Sequence, residues 1–288
     1  MSYGLALSGG GTRGAAHVGI LKALEEANLL PNSIAGTSAG SIAAGLYASG
    51  MSITEMCDVI DYLSRHGLFL LDPNYLGLLK FVPQVLIGRE VSLTGLLKGN
   101  RLLKLLCALT NGVLISDISI PLVIPTVDLN SGNTIAYTNV SDITPQEEVV
   151  WQRQGRLCDI MMASSAVPAI FSPRSLGNYD LVDGGVTHNL PVNLLMAAGQ
   201  KRILAIDIGG KYETPRSHSI TEVVSHSFSI MSKDLKNCRS QGEFLLLKPQ
   251  LPKGAGLLTF ESMNDCLHDG YEYAKREMPM IRQCIERE

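Results

Sequence analysis

Three short segments of this chain combine residue types that can do chemistry. Gly36-Thr37-Ser38-Ala39-Gly40 fits G-x-S-x-G, in which a serine sits at the tip of a sharp turn between a strand and a helix. Glycines on either side let such a turn close without side-chain clash, so Ser38 is a candidate nucleophile framed by Gly36 and Gly40. Ser8-Gly9-Gly10-Gly11-Thr12-Arg13-Gly14 is a glycine loop between an apolar run and a helical pattern. Free N–H groups and the positive end of a helix dipole make such a place bind negative charge, either a phosphate or a developing oxyanion. Asp183-Gly184-Gly185 offers a carboxylate after a strand-like stretch. Most such tripeptides are plain turns, but at a strand end in the same sheet this one could face Ser38.

Acyl transfer needs a nucleophile within reach of donors for the tetrahedral oxyanion, and losing one donor typically costs about 3 kcal/mol. The backbone amides of Gly9, Gly10 and Gly11 are the expected donors. A rival exists, because Gly9-x-Gly11-x-x-Gly14 also satisfies the dinucleotide-binding fingerprint. That fingerprint wants an acidic residue about 20 positions on, whereas residues 29–34 hold none. No Gly-Lys-Ser/Thr closes the loop as a Walker A motif. Arg13 can order the loop or meet an anionic head group, although a structural ion pair is its plainest reading. His17 is read as packing. Ser164 and Ser165 lack elbow spacing and are assigned helix-end and turn roles.

An α/β frame must position these residues. Residues 3–7, 33–35, 179–182, 202–208 and 244–247 read as short strands. Residues 121–128 and 134–138 are β-rich and are joined by the turn Asn130-Ser131-Gly132-Asn133. A helix carrying Val18, Leu21, Leu24 and Ala27 on one face follows the glycine loop, and residues 39–49 form a second that stops at Gly50. Further helices are expected around 157–162 and 191–198. Ser219-Ile220-Thr221-Glu222 has capping-box spacing and opens a helix towards Cys238. A terminal helix over 265–285 is expected to be interrupted by Gly270 and Pro279. In an open α/β sheet ligands collect at the carboxyl ends of strands, so loops after neighbouring strands would share one crevice.

The 288 residues, 45% hydrophobic and 18% charged, suit one globular domain over 1–288. A net charge of -3 gives no electrostatic case for nucleic-acid binding. No run of about 18 uncharged apolar residues suggests a membrane span, and the first residues do not read as a leader. Cys57, Cys107, Cys158, Cys238, Cys266 and Cys284 are scattered without zinc-type spacing and read as isolated, buried thiols in a reducing cytoplasm. Residues 51–115 read as short helices and loops, with Lys80, Arg89, Lys98, Arg101 and Lys104 set against Glu90 between 75 and 106. A cap touching the inner membrane surface through 75–106 would carry that pattern. Ordinary core helices with snorkelling lysines also explain it and are the preferred account.

Together these motifs make the chain resemble the bacterial patatin-like phospholipases, serine acyl hydrolases that use a Ser-Asp dyad. The resemblance covers roughly the whole chain, with its core motifs within 4–208. It rests on G-G-G-x-R/K-G at Gly9 to Gly14, the elbow at Gly36 to Gly40, Ser-x-Ala-x-Pro-x-x-Phe at Ser164 to Phe171, and D-G-G/A at Asp183 to Gly185. It implies a three-layer α/β/α fold with a mainly parallel central sheet. It further implies Ser38 as nucleophile, Asp183 as proton acceptor, and an oxyanion loop of Gly9, Gly10, Gly11, Thr12, Arg13 and Gly14. Gly184 and Gly185 complete the acidic motif, the substrate is a lipid or acyl ester, and neither metal nor cofactor is needed. A Ser-His-Asp triad through His188, His226 or His268 competes with the dyad. So do a non-catalytic lipid-binding module and, more remotely, a dinucleotide-binding protein. Acyl chain, head group, position cleaved and oligomeric state are not legible.

Overall fold

The computed structural model describes residues 2–88, 93–209, 220–239 and 242–286. β1 (Gly4–Leu7) runs into the glycine loop and α1 (Ala15–Glu26), and β2 (Ser33–Gly36) runs into the elbow and α2 (Ala39–Ala48). Next come α3 (Ile53–His66), α4 (Tyr75–Leu86), β3 (Gly95–Leu97), α5 (Asn100–Leu109), and the hairpin of β4 (Leu122–Asp128) and β5 (Thr134–Thr138). β6 (Val149–Gln152), α6 (Leu157–Ser164), β7 (Ala169–Phe171), β8 (Arg174–Leu176) and β9 (Tyr179–Asp183) follow. The described chain closes with α7 (Val192–Ala197), β10 (Ile203–Ile206), α8 (Ile220–Arg239), β11 (Leu245–Leu247) and α9 (Met263–Glu286).

The main sheet has the order β11-β10-β1-β2-β4-β5-β6, with β9 on β4 and β8 on β9. From β11 to β4 every pairing is parallel, while β5 and β9 run antiparallel to β4. Alternation along the strands sorts residues by size. Leu5, Leu7, Ile34, Leu122, Ile124, Leu204 and Ile206 join one core, with buried residues of α1, α2, α3, α6 and α9. Ala6, Ala35, Val123, Ala136 and Ala205 join a second core with Val192, Leu194 and Leu195 of α7. A strand buried on both faces reads as a continuous apolar run, which is how β1 and β10 read. The result is a mainly parallel sheet between two unequal helical layers.

Some sequence expectations need correction. α9 is not interrupted, because it runs unbroken through Gly270 and Pro279. Gly270 is where α9 crosses α1: a Cβ there would collide with the backbone of Ala16, as one at Gly19 would with Leu267. Nor are the cysteines all isolated, since α5 and α6 bring Cys107 and Cys158, 51 residues apart, into a disulfide with Cα atoms 5.0 Å apart. Cys57, Cys266 and Cys284 are free, and the side chain of Cys238 lies outside the described residues. Arg89, Glu90 and the capping Ser219 are likewise outside them. Among the described residues no helix is long and apolar enough to cross a membrane.

The segment after α2 is more helical than its sequence suggests. α3 is opened by a capping box in which Ser52 and Glu55 exchange hydrogen bonds, and its last turn carries Arg65 and His66. α4 is not a core helix with snorkelling lysines. Tyr75, Leu76, Leu79, Val85 and Leu86 are all exposed.

Candidate active site

The elbow is held by close backbone approach. Ser38 has φ 54 and ψ -124, a strained conformation for a residue with a side chain. A Cβ on Gly36 would collide with the carbonyl of Gly40, and one on Gly40 would press on the carbonyls of Leu7 and Ser8. The Thr37 amide donates to Leu7 O at 3.1 Å. Its hydroxyl donates to His188 O at 2.7 Å, so Thr37 ties the elbow both to β1 and to the loop after β9.

β9 reaches the elbow by an antiparallel route. β4 pairs with β2 through Leu122 and Val123 and with β9 through Thr126, Val127 and Asp128. β9 therefore takes the edge of β4 that β2 leaves free when it turns away at Gly36, and the two strands meet end to end. This places Asp183 at the nucleophile by a reversed strand rather than by a parallel neighbour. Gly184 is required at the corner, where a Cβ would collide with Pro125 O.

Asp183 is fully buried. Its Oδ1 accepts the Gly185 N–H at 2.7 Å, and its Oδ2 has no hydrogen-bond partner among the described residues. Burial pushes the carboxyl up from 3.8 to about 7, opposed by the Ser38 hydroxyl beside it and by the Gly185 amide. The Ser38 contact thus acts on the carboxyl without closing a hydrogen bond of normal geometry, as is common in unliganded sites.

The segment 164–166 holds both groups. Ser164 Oγ accepts the Ser38 N–H at 3.1 Å and donates to Pro125 O at 2.7 Å. Two residues on, Ala166 O accepts the Asp183 N–H at 3.0 Å. The helix-end role expected for Ser164 is therefore incomplete: the side chain links the elbow to the corner that carries Asp183. Ser165 Oγ is buried without a partner among the described residues, and Ser165 borders the same cavity as Ser38. The clue available in sequence was that Ser164 opens the Ser-x-Ala-x-Pro-x-x-Phe segment, yet nothing there says which backbone groups its hydroxyl meets.

The glycine loop lies against Ser38, since a Cβ on Gly9 would lie 3.1 Å from the Ser38 Cβ. Its six residues are not equivalent. The Gly9 amide donates to Asn189 O, and the Thr12 amide and hydroxyl both donate to Gly256 O. Gly14 packs against Ala39. Arg13 Nε donates to Gly10 O at 3.3 Å, so it orders the loop from within. The amides of Gly10 and Gly11 have no hydrogen-bond acceptor among the described residues. His17 is fully buried, Nε2 lies 2.9 Å from Ser8 O, and burial lowers it to about 4, so it braces the loop as a neutral ring.

Ser38 borders two cavities. One, of about 130 Å³, is apolar and is lined by Val18, Ile42, Leu46, Met56, Ile60, Leu63, Leu102, Phe171, Leu257 and Phe260. The other, about 60 Å³, is lined by Gly9, Gly10, Gly11, Arg13, Asn189 and Ser232. Asn189 is a neighbour that sequence reasoning missed. Of the competing histidines, His188 turns Nδ1 to Thr134 and Thr187, at 3.2 and 3.1 Å. Among the described residues no group of three or more His, Cys, Asp or Glu side chains is gathered to hold a metal ion.

A serine on a strand-to-helix elbow, at the carboxyl end of a central strand in a mainly parallel sheet and beside a buried carboxyl, is the arrangement of a serine hydrolase. Residues 5–196 match the patatin-like phospholipase family, and the chain belongs to that family. It is 29% identical over 217 residues to neuropathy target esterase sws of Drosophila melanogaster, covering 74% of this chain and 13% of that protein. It is 28% identical over 236 residues to lysophospholipase NTE1 of Mycosarcoma maydis, covering 77% and 10%. An NTE family protein of Mycobacterium bovis is 26% identical over 212 residues, covering 73% and 50%. The chain thus spans between a tenth and a half of these relatives. In fold it is similar to VipD of Legionella pneumophila, at TM-score 0.52 and 15% identity, covering 97% of this chain and 67% of that one.

Proposed function

We propose that the protein hydrolyses acyl esters of lipids, with Ser38 as nucleophile and Asp183 as its base. The supporting observation is the place of Ser38, between an apolar cavity and a second one bordered by the glycine loop, Arg13 and Asn189, beside a buried carboxyl whose Oδ2 has no partner among the described residues. The acyl chain enters the apolar cavity and the alcohol lies towards the one bordered by the glycine loop and Asn189. Asp183 takes the Ser38 proton as Oγ adds to the ester carbonyl, and the Gly10 and Gly11 amides hold the oxyanion. Collapse expels the alcohol, which leaves with the proton from Asp183. Water then adds to the acyl-serine with Asp183 again as base, releasing the fatty acid and restoring Ser38. A pKa of about 7 suits a group that must accept and return a proton near neutrality. Residues 51–115 act as a cap on the acyl side, since Met56, Ile60, Leu63 and Leu102 line that cavity.

The test is turnover of p-nitrophenyl esters of increasing chain length and of lysophospholipid by wild type and Ser38→Ala. Activity that grows with chain length and vanishes in Ser38→Ala is expected. A folded wild type that binds these lipids without hydrolysing any of them would contradict the proposal.

A further inference from the structure

More than half of the exposed large hydrophobic side chains among the described residues lie within 68–87. Leu68 and Phe69 sit on the turn after α3, and Leu76, Leu79 and Leu86 recur at helical spacing along one face of α4. Phe69 and Leu79 keep 73% of their surface exposed and Leu86 keeps 82%. Contiguous apolar surface of this kind on a protein in water marks an interaction site.

The charges beside it are predominantly basic. Lys80 lies on α4, Lys98 precedes α5, and Arg101 and Lys104 lie on α5, in a chain whose net charge is -3. The described carboxylate among them, Asp72, is engaged by the Gly99 and Asn100 amides at 2.7 and 3.0 Å. Arg101 donates to Phe69 O at 2.8 Å, which fastens this basic edge to the apolar turn. The patch also adjoins the acyl cavity. Gly67 lies against the Phe260 ring, and Leu63, Leu102 and Phe260 all line that cavity.

We infer that α4 and the turn before it dock the protein on an anionic lipid bilayer, setting the mouth of the acyl cavity at the membrane surface. An apolar helix face that enters the acyl boundary while adjacent lysines and arginines meet anionic head groups is the physical pattern of interfacial binding. The inference rests on the lipid hydrolase reading for its choice of partner.

The experiment is co-sedimentation of the full chain with phosphatidylcholine vesicles, with and without phosphatidylglycerol, alongside hydrolysis of a soluble short-chain ester. Wild type and Ser38→Ala should bind equally, and both should prefer the anionic vesicles. The triple variant Leu76→Ser, Leu79→Ser, Leu86→Ser should lose about 100-fold or more in partitioning and keep soluble-ester turnover. Lys80→Glu and Lys104→Glu should each lose roughly fivefold or more on anionic vesicles only. Equal vesicle binding by wild type and the triple variant, or a concentration-dependent dimer abolished by that variant without vesicle binding, would overturn the inference. Vesicle binding without ester turnover would contradict the hydrolase reading and leave docking standing.

Discussion

The elbow region and the α4 region are built on opposite terms. Around Ser38 and Asp183 backbone and side-chain groups are tied to one another: Thr37 to Leu7 and His188, Ser38 to Ser164, Asp183 to Ala166 and Gly185. Around α4, leucines that would stabilise a core stand in solvent. Sites of chemistry require side chains fixed by their neighbours, whereas surfaces that meet another phase must leave their apolar groups uncovered. Under the proposed hydrolysis and docking, the contrast separates residues that act on the ester from residues that bring the protein to it.

The largest effects should fall on the first region. Ser38→Ala should lower kcat for a soluble ester by about 10^4-fold or more. Asp183→Asn should lower it by about 10^2- to 10^4-fold, since a general base is lost while an acceptor for Gly185 remains. The same variant should change stability in the opposite sense. The folded pKa of Asp183 is raised above 3.8 to about 7, so its contribution to stability declines as pH rises between those values, by roughly 4 kcal/mol at most. Asp183→Asn should accordingly gain in Tm over wild type at pH 8 and gain little at pH 4. A Tm difference independent of pH would break the assignment of a buried carboxyl whose pKa is raised.

Ser164→Ala sharpens the comparison from within the site. Loss of the hydroxyl leaves the Ser38 N–H and Pro125 O without their partner, for about 1–3 kcal/mol of stability. Because the elbow is what loosens, kcat should fall by about 10-fold or more while KM changes little. His188→Ala should have the smallest effect, less than about 10-fold in kcat/KM, since its ring bonds with Thr134 and Thr187. A loss equal to that of Asp183→Asn would favour a triad.

The motifs were legible because steric necessity leaves a trace in residue type. Gly36, Gly40 and Gly184 are glycines because a Cβ at each would press on backbone oxygen, and Ser38 and Asp183 stand beside them. What sequence did not disclose is pairing at a distance. The antiparallel entry of β9 depends on β2 leaving the edge of β4, which no local pattern encodes. The disulfide between Cys107 and Cys158 and the bracket made by Ser164 and Ala166 are likewise products of helix α6 packing against other elements. The glycine loop fell between these cases: its composition announced a donor site, but only the partners of Gly9 and Thr12 narrowed the free amides to Gly10 and Gly11. The exposure of α4 was hidden because an apolar helix for a core and one for a membrane surface have the same composition.

The most direct measurement is the pH dependence of Ser38 labelling by a fluorophosphonate, read by peptide mass spectrometry in wild type, Asp183→Asn and His188→Ala. A Ser38–Asp183 dyad predicts labelling at Ser38 whose rate climbs with pH through about 7 in wild type and His188→Ala, and a slow rate without that rise in Asp183→Asn. Absence of labelling at Ser38, or a pH profile abolished by His188→Ala and retained by Asp183→Asn, would contradict it.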